Sequence, residues 1–514
     1  MSPQFRPERA AIVRLRTSSI PSYIQTIVGK RSPISDDIEE FRGIPYAHVP
    51  GRWEHSRLRD RLPRDVFDAG ENGPRCPTQR KGNSQTFQSY LPYPDDCEDE
   101  FECLNLLIVR PSKEALAKHN LDIHGGGFTD GAATDPVCDP SRIILRGLSK
   151  EMPFIAVAIN YRLNIFGFGA SSDPLAAQGS HASLKGVNFG LYDQKVALIW
   201  VKRSIAAFGG DDTKVTIMGN SAGGISCHLH LLEAELGTKK PLFRKAALIS
   251  GSCGGLDLTS LEKADERWAD LYRLCYPSEA AAEEVLEAYG ILHTSSDKEL
   301  FEAFSQFISD ATMVHKVYRA SEFFKAHRGK QALLHGNSSE RVGVQYYHFE
   351  FGNPFSGPMQ GIAHHGVELV YAFGTFHDAL GKADRGILEG YIEPDLELPE
   401  VTGPEPPLNT EAAEYRKSNI DFGYELQDKL IQFVVEDCQE TDQRANPDEI
   451  TTFCHHRSVR MESWSSSKKW AAKRKKFELL DRDLDSLITA TKRLVGGVIG
   501  RDPGQVVKDL GSRR

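Results

Sequence analysis

Between residues 105 and 250, short aliphatic runs alternate with stretches of helical spacing, and that alternation restricts the chain to few folds. The runs are Leu106 to Val109, a shorter Leu121 to Ile123, Phe154 to Asn160, Val215 to Met218 and Ala246 to Ser250. Runs with so little polar alternation suit strands covered on both faces by crossover helices. Between the third and fourth, LYDQKVALIWVKRSIAAFGG spaces Leu191, Val196, Ile199, Trp200 and Ile205 along one helix that Gly209 and Gly210 end. The fold class expected is α/β, with a mostly parallel central sheet flanked by helices.

Composition narrows the partners. A formal net charge of -9 and the absence of a basic patch interleaved with aromatics argue against a nucleic-acid surface. The first 25 residues carry scattered arginines without the apolar stretch of a secretory signal, and no later run approaches a membrane span. A cytoplasmic location is expected, with a secreted form left open. The nine cysteines include no C-x-x-C pair, so neither a zinc site nor a redox motif is indicated. One domain is expected over residues 1–514, with 1–34 and 500–514 as loose ends. The proline-rich stretch 393–410 reads as a surface excursion, and the charged segment from Ser466 as a solvated helix. Oligomeric state is not specified by any of these features.

The stretch IMGNSAGGIS, residues 217–226, sets a serine between glycines at the end of one run and the start of a helical stretch. Nucleophilic ester cleavage needs such a serine, raised on a tight strand-to-helix bend where side chains on the flanking residues would collide with backbone. A lone G-x-S-x-G is a weak signal. It gains weight from Gly125, Gly126 and Gly127 in DIHGGGFTDG, directly after the run ending at Ile123, where backbone N–H groups can receive a developing oxyanion. A base is expected late in the chain, and GIAHHGVELVYAFG follows a strand candidate over Val342 to Phe351, which raises His364 or His365.

These residues resemble the type B carboxylesterases, which have the α/β-hydrolase fold and include cholinesterases and fungal lipases and esterases. The resemblance runs from FRGIPYAHVPGRW through HGGGF, NYRLNIFGF, LYDQKVALIWVKRSIAAFGGD and VTIMGNSAGG to AHHGVELVYAFG, over most of residues 35 to 375. It implies that Ser221 is the acyl-forming serine, that Gly126, Gly127 and Ala222 are the oxyanion donors, and that His365 is the general base. It further implies a buried ion pair of Arg162 with Asp193 and a disulfide between Cys76 and Cys103. Asn220 stands where many members carry a glutamate, so a cationic substrate has less electrostatic support. The implied activity is serine carboxylic ester hydrolysis on a small-molecule ester, without metal or organic cofactor.

One family element is missing. No D-E-G-like turn carries an acid between Ser221 and His365, and the 144 residues separating them (365 - 221) are fewer than the family usually has. The join falls near Tyr276 to Ala282, where a strand and its acid-bearing turn are expected to be lost. Of the acidic residues in that interval, Glu350 alone has a strand-end position; the triad acid stays unassigned. A catalytically silent relative used for binding is the alternative reading.

Overall fold

Phe154–Ile159 alternates its side chains between two cores, which is why the run is apolar throughout. Ile155, Val157 and Ile159 enter one core with Val196, Trp200 and Val201 of a long helix. Phe154, Ala156 and Ala158 enter the other with Ile143, Phe351, Tyr371 and Phe422. The same split holds for Leu106 and Ile108 against Leu107 and Val109. The computed structural model describes residues 10–78, 94, 96–112, 118–123, 131–170, 175, 178, 185–237, 241–253, 314–315, 317–323, 344–355, 360–361, 363–388, 417–436, 446 and 448–482.

The strands are β1 (Ala10–Arg16), β2 (Ile24–Arg31), β3 (Ile38–Pro45), the short pair β4 (Ala47–His48) and β5 (Arg57–Leu58), β6 (Val66–Asp68), β7 (Asn105–Pro111), β8 (Lys118–Ile123), β9 (Phe154–Ile159), β10 (Thr216–Asn220) and β11 (Lys245–Ile249). Farther on come β12 (Tyr346–Phe349), β13 (Glu449–Phe453) and β14 (Val459–Ser463). The main sheet has the order β1-β2-β3-β7-β9-β8-β10-β11, with β6 beside β2. Its β9, β8, β10 and β11 are mutually parallel, and β1, β2, β3 and β7, successively antiparallel, precede them, with β6 parallel to β2. The polar-looking β8 runs over six residues, longer than its apolar core Leu121 to Ile123 suggests: β9 pairs with all six, while β10 pairs with Leu121 to Ile123 only. Backbone pairing with β9 extends it beyond what its sequence signals.

Residues 10–34, expected within a loose end, contain β1 and β2, whose Ala11, Val13, Leu15 and Ile27 enter the core. Residues 1–9 and 500–514 lie outside the described residues, as do the proline-rich 393–410 and the expected join near 276–282. Among the described residues the main sheet ends at β11, and β12 pairs with β13 in a separate sheet of three strands. The described helices are α1 (Ser141–Ser149), α2 (Asn164–Phe168), α3 (Phe189–Ser204), α4 (Ala222–Leu236), α5 (Leu369–Ala372), α6 (His377–Asp384), α7 (Asn419–Val435) and α8 (Lys468–Arg482). Helix α8, read as solvated, buries Trp470, Phe477 and Leu480 along one side while Lys468, Lys469 and Lys475 are exposed. Its aromatic anchors sit at helical spacing inside a strongly charged segment, and the charge masks them.

Candidate active site

The bend between β10 and α4 is made by close backbone contact. A Cβ on Gly219 would lie 2.3 Å from the carbonyl carbon of Gly223, and one on Gly251 would lie 2.1 Å from the Ser221 oxygen. Only glycine permits these approaches. Ser221 at the apex takes φ 55° and ψ -118°, a conformation costly for a residue with a side chain and held here by its surroundings. Its N–H donates to the Ile249 carbonyl at 2.8 Å, and its own carbonyl accepts from Ile225 at 2.9 Å. The strained serine is thus tied to the end of β11 on one side and to the first turn of α4 on the other.

His365 meets that serine from the far side of the sequence. Ser221 Oγ lies 2.7 Å from His365 Nε2. With the hydroxyl as donor the ring proton sits on Nδ1, the arrangement a general base requires. His365 keeps an edge open to solvent while protein packed around the rest of the ring disfavours the imidazolium and lowers its pKa from the usual histidine value. Gly366, with φ +82°, turns the chain immediately after it, and Val367 N–H closes the turn onto the His364 carbonyl at 3.0 Å.

Ala222 opens α4 and is buried, so its N–H is among the first-turn amides that have no partner within the helix and lies beside Ser221 at the positive end of the dipole. The turn is fixed from behind. His230 Nε2 donates to Gln194 Oε1 at 3.0 Å, Gln194 Nε2 donates to Ser226 Oγ at 3.0 Å, and Ser226 Oγ donates to the Ala222 carbonyl at 2.9 Å. Gly126 and Gly127 lie outside the described residues.

Glu368 is a site residue that sequence reasoning missed. Its carboxylate accepts from Asn220 Nδ2 at 2.7 Å and from the Ser250 hydroxyl, linking the base loop to the serine bend and to the end of β11. It is 3% exposed, and burial raises its pKa despite the hydrogen bonds that favour the charged form. The family pattern places an acid between Ser221 and His365, whereas Glu368 follows the histidine by three residues. It serves the bend, and among the described residues no carboxylate hydrogen-bonds to His365. Glu350 is not a substitute acid. It salt-links Lys469, Arg460 at 3.5 Å and His348 at 3.4 Å. Burial alone would raise its carboxyl, but the bonds from His348 and Lys469 bring it down to about 2.

Arg162 and Asp193 form the buried ion pair expected of them, with Nε and Nη2 each 2.8 Å from a carboxylate oxygen and exposures of 1% and 0%. Cys76 and Cys103 are buried beside each other, and both are free thiols in this structure. The neighbouring Cys76 thiol, and after it burial, raise the Cys103 thiol well above its usual range. Among the described residues no cluster of His, Cys, Asp and Glu could hold a metal ion, and no helix is long and apolar enough to cross a membrane.

Residues 16–255 match the family model described as Carboxylesterase family. Lipase 1 of Yarrowia lipolytica is 33% identical over 228 residues, 44% of this chain and 44% of that one. A secreted triacylglycerol lipase of Gibberella zeae is 34% identical over 275 residues, covering 50% of this chain and 44% of that one. The matches span about half the length of the curated relatives. A solved PNB esterase superposes with a TM-score of 0.54 at 20% identity, over 90% of this chain and 99% of that one. That likeness identifies the α/β-hydrolase fold. With a secreted lipase among the relatives, the expected cytoplasmic location finds no support.

Proposed function

From the membership of residues 16–255 in the carboxylesterase family, we propose that this chain is a serine carboxylic ester hydrolase. The observation that carries the reading is the 2.7 Å contact of Ser221 Oγ with His365 Nε2 at a strained strand-to-helix bend. Ser221 attacks the ester carbonyl as its proton passes to His365 Nε2, and the C–O bond to the alcohol breaks as that proton is returned to the leaving oxygen. The Ala222 N–H, with Gly126 and Gly127, stabilises the tetrahedral oxyanion, each such donor contributing about 3 kcal/mol to lowering the barrier. Water activated by His365 then releases the acid. No step calls for a metal or organic cofactor, and a small-molecule ester is the partner. The secreted relative makes secretion the location to test first, by fractionating the culture of the producing cells.

The experiment is covalent labelling by a fluorophosphonate together with turnover of a short-chain p-nitrophenyl ester. Labelling and turnover are expected to vanish in Ser221→Ala. A folded native chain that takes up no label points instead to the alternative, a catalytically silent relative used for binding. That reading draws on the want of a carboxylate at His365 among the described residues. Against it stands the retained strain at Ser221, which a binding scaffold has no use for.

A further inference from the structure

His364, next to the base, is tied into a chain of hydrogen bonds whose direction can be worked out from its fixed end. The backbone N–H of Phe355 donates to Asn353 Oδ1 at 2.9 Å. That contact orients the Asn353 amide, so its Nδ2 is the atom facing His364 Nε2 at 3.0 Å. An amide nitrogen only donates, hence Nε2 is the acceptor and the ring proton lies on Nδ1. Nδ1 in turn sits 2.8 Å from the carbonyl oxygen of His365 and donates to it. The sequence is therefore Phe355 N–H to Asn353, Asn353 to His364, and His364 to the backbone of the proposed base.

The anchor of this relay is rigid. Asn353 is 4% exposed, and its carbonyl accepts from Gly361 N–H at 2.9 Å. Its neighbour Gly352 packs so closely on Gly361 that a Cβ there would come within 2.4 Å of backbone. At the other end, the His365 carbonyl precedes Gly366, whose positive φ makes this peptide the pivot of the base loop. Holding that carbonyl fixes the direction in which the His365 ring leaves the backbone. A carboxylate on Nδ1 would restrain the ring directly; among the described residues the restraint acts on the His365 backbone.

We propose that His364 is a positioning residue: as the neutral Nδ1–H tautomer, oriented by Asn353, it clamps the His365 carbonyl and so aims the imidazole at Ser221. This rests on the hydrolase reading, and two readouts separate the failure of one from the failure of the other. The first is the tautomer itself, read from two-bond ¹H–¹⁵N correlations of histidine-labelled protein, with His364 assigned by the signals lost in His364→Phe. A proton on Nδ1 is expected, and in Asn353→Asp, which sets a carboxylate oxygen toward Nε2 while the His365 carbonyl still accepts from Nδ1, a second proton is expected on Nε2. The second is hydrolysis of p-nitrophenyl butyrate by folded variants with matching thermal transitions. His364→Phe fills the space without either bond and is expected to lose about 10- to 100-fold in kcat with KM little changed, the range that misplacing a reacting group by about an ångström produces. His364→Gln, with an oxygen for Asn353 and an N–H for the carbonyl, is expected to recover most of that loss. A native His364 carrying its proton on Nε2 overturns the relay. The expected tautomer with His364→Phe at native kcat, or with no recovery in His364→Gln, overturns the positioning role. If native protein neither turns over the ester nor takes up fluorophosphonate, the hydrolase reading falls, while the tautomer still decides whether the relay exists.

Discussion

The two histidines buried in α4, His228 and His230, make stability fall steeply on mild acidification. Both are almost wholly buried, and burial drops their pKa from 6.5 to about 4. Above pH 6.5 both are neutral whether the chain is folded or not, so they add no pH dependence. Between pH 6.5 and 4 the unfolded chain binds protons that the folded one refuses, and stability declines as the pH falls; below about 4 the loss is complete. The full loss is about 3 kcal/mol per histidine, of which about 2 kcal/mol is already present at pH 5. Two such sites approach half the total stability of an ordinary domain, about 5–15 kcal/mol. Other lowered histidines, including His48, His55 and His377, tilt the native profile the same way, so the test needs a difference. His230→Gln keeps an N–H for Gln194 Oε1 and removes the titration. Urea denaturation at pH 7.5 and pH 5 is expected to show a loss about 2 kcal/mol smaller in His230→Gln than in the native chain. An equal loss in both would refute the assignment of this acid sensitivity to His230.

The other predictions bear on the bend and on the buried charges. Gly219→Ala forces a Cβ against the Gly223 backbone; it is expected to cost about 1–3 kcal/mol by thermal melting and to abolish fluorophosphonate labelling at Ser221. Glu368→Ala strands the Asn220 amide and the Ser250 hydroxyl and is expected to destabilise by about 1–3 kcal/mol, whereas Glu368→Gln, which keeps the accepting oxygen, should cost clearly less in the same melt. Arg162→Met leaves the Asp193 carboxylate buried without its cation, with an expected loss of about 3–5 kcal/mol in urea denaturation. Because the surroundings of His365 lower its pKa, and the neutral ring is the active one, the acid limb of kcat/KM for an ester is expected to break below pH 6.5 and fall as the pH falls through that break; a break above 6.5 would exclude His365 as the base.

What the sequence by itself determined is what local pattern and short spacing carry. The unbroken apolar runs foretold β7, β9, β10 and β11, because a strand buried on two faces has no polar positions to show. G-x-S-x-G foretold the bend, because the collision that excludes side chains at Gly219 involves a residue only four positions away. Helix α3 was legible in the spacing of Trp200 and its neighbours. The extent of β8, the buried side of α8 and the strands of residues 10–34 were less so, since pairing and packing partners far along the chain override their polar composition. Tertiary structure alone decided the convergence of side chains: Glu368 under Asn220 and Ser250, Glu350 drawn to Lys469 and Arg460, and His364 caught between Asn353 and the His365 carbonyl. Partners such as Glu368 and Asn220, 148 residues apart, leave no periodicity behind, and even Asn353 and His364, 11 apart, meet only because the chain folds back between them, so their distance is set by packing and not by a repeat in the chain.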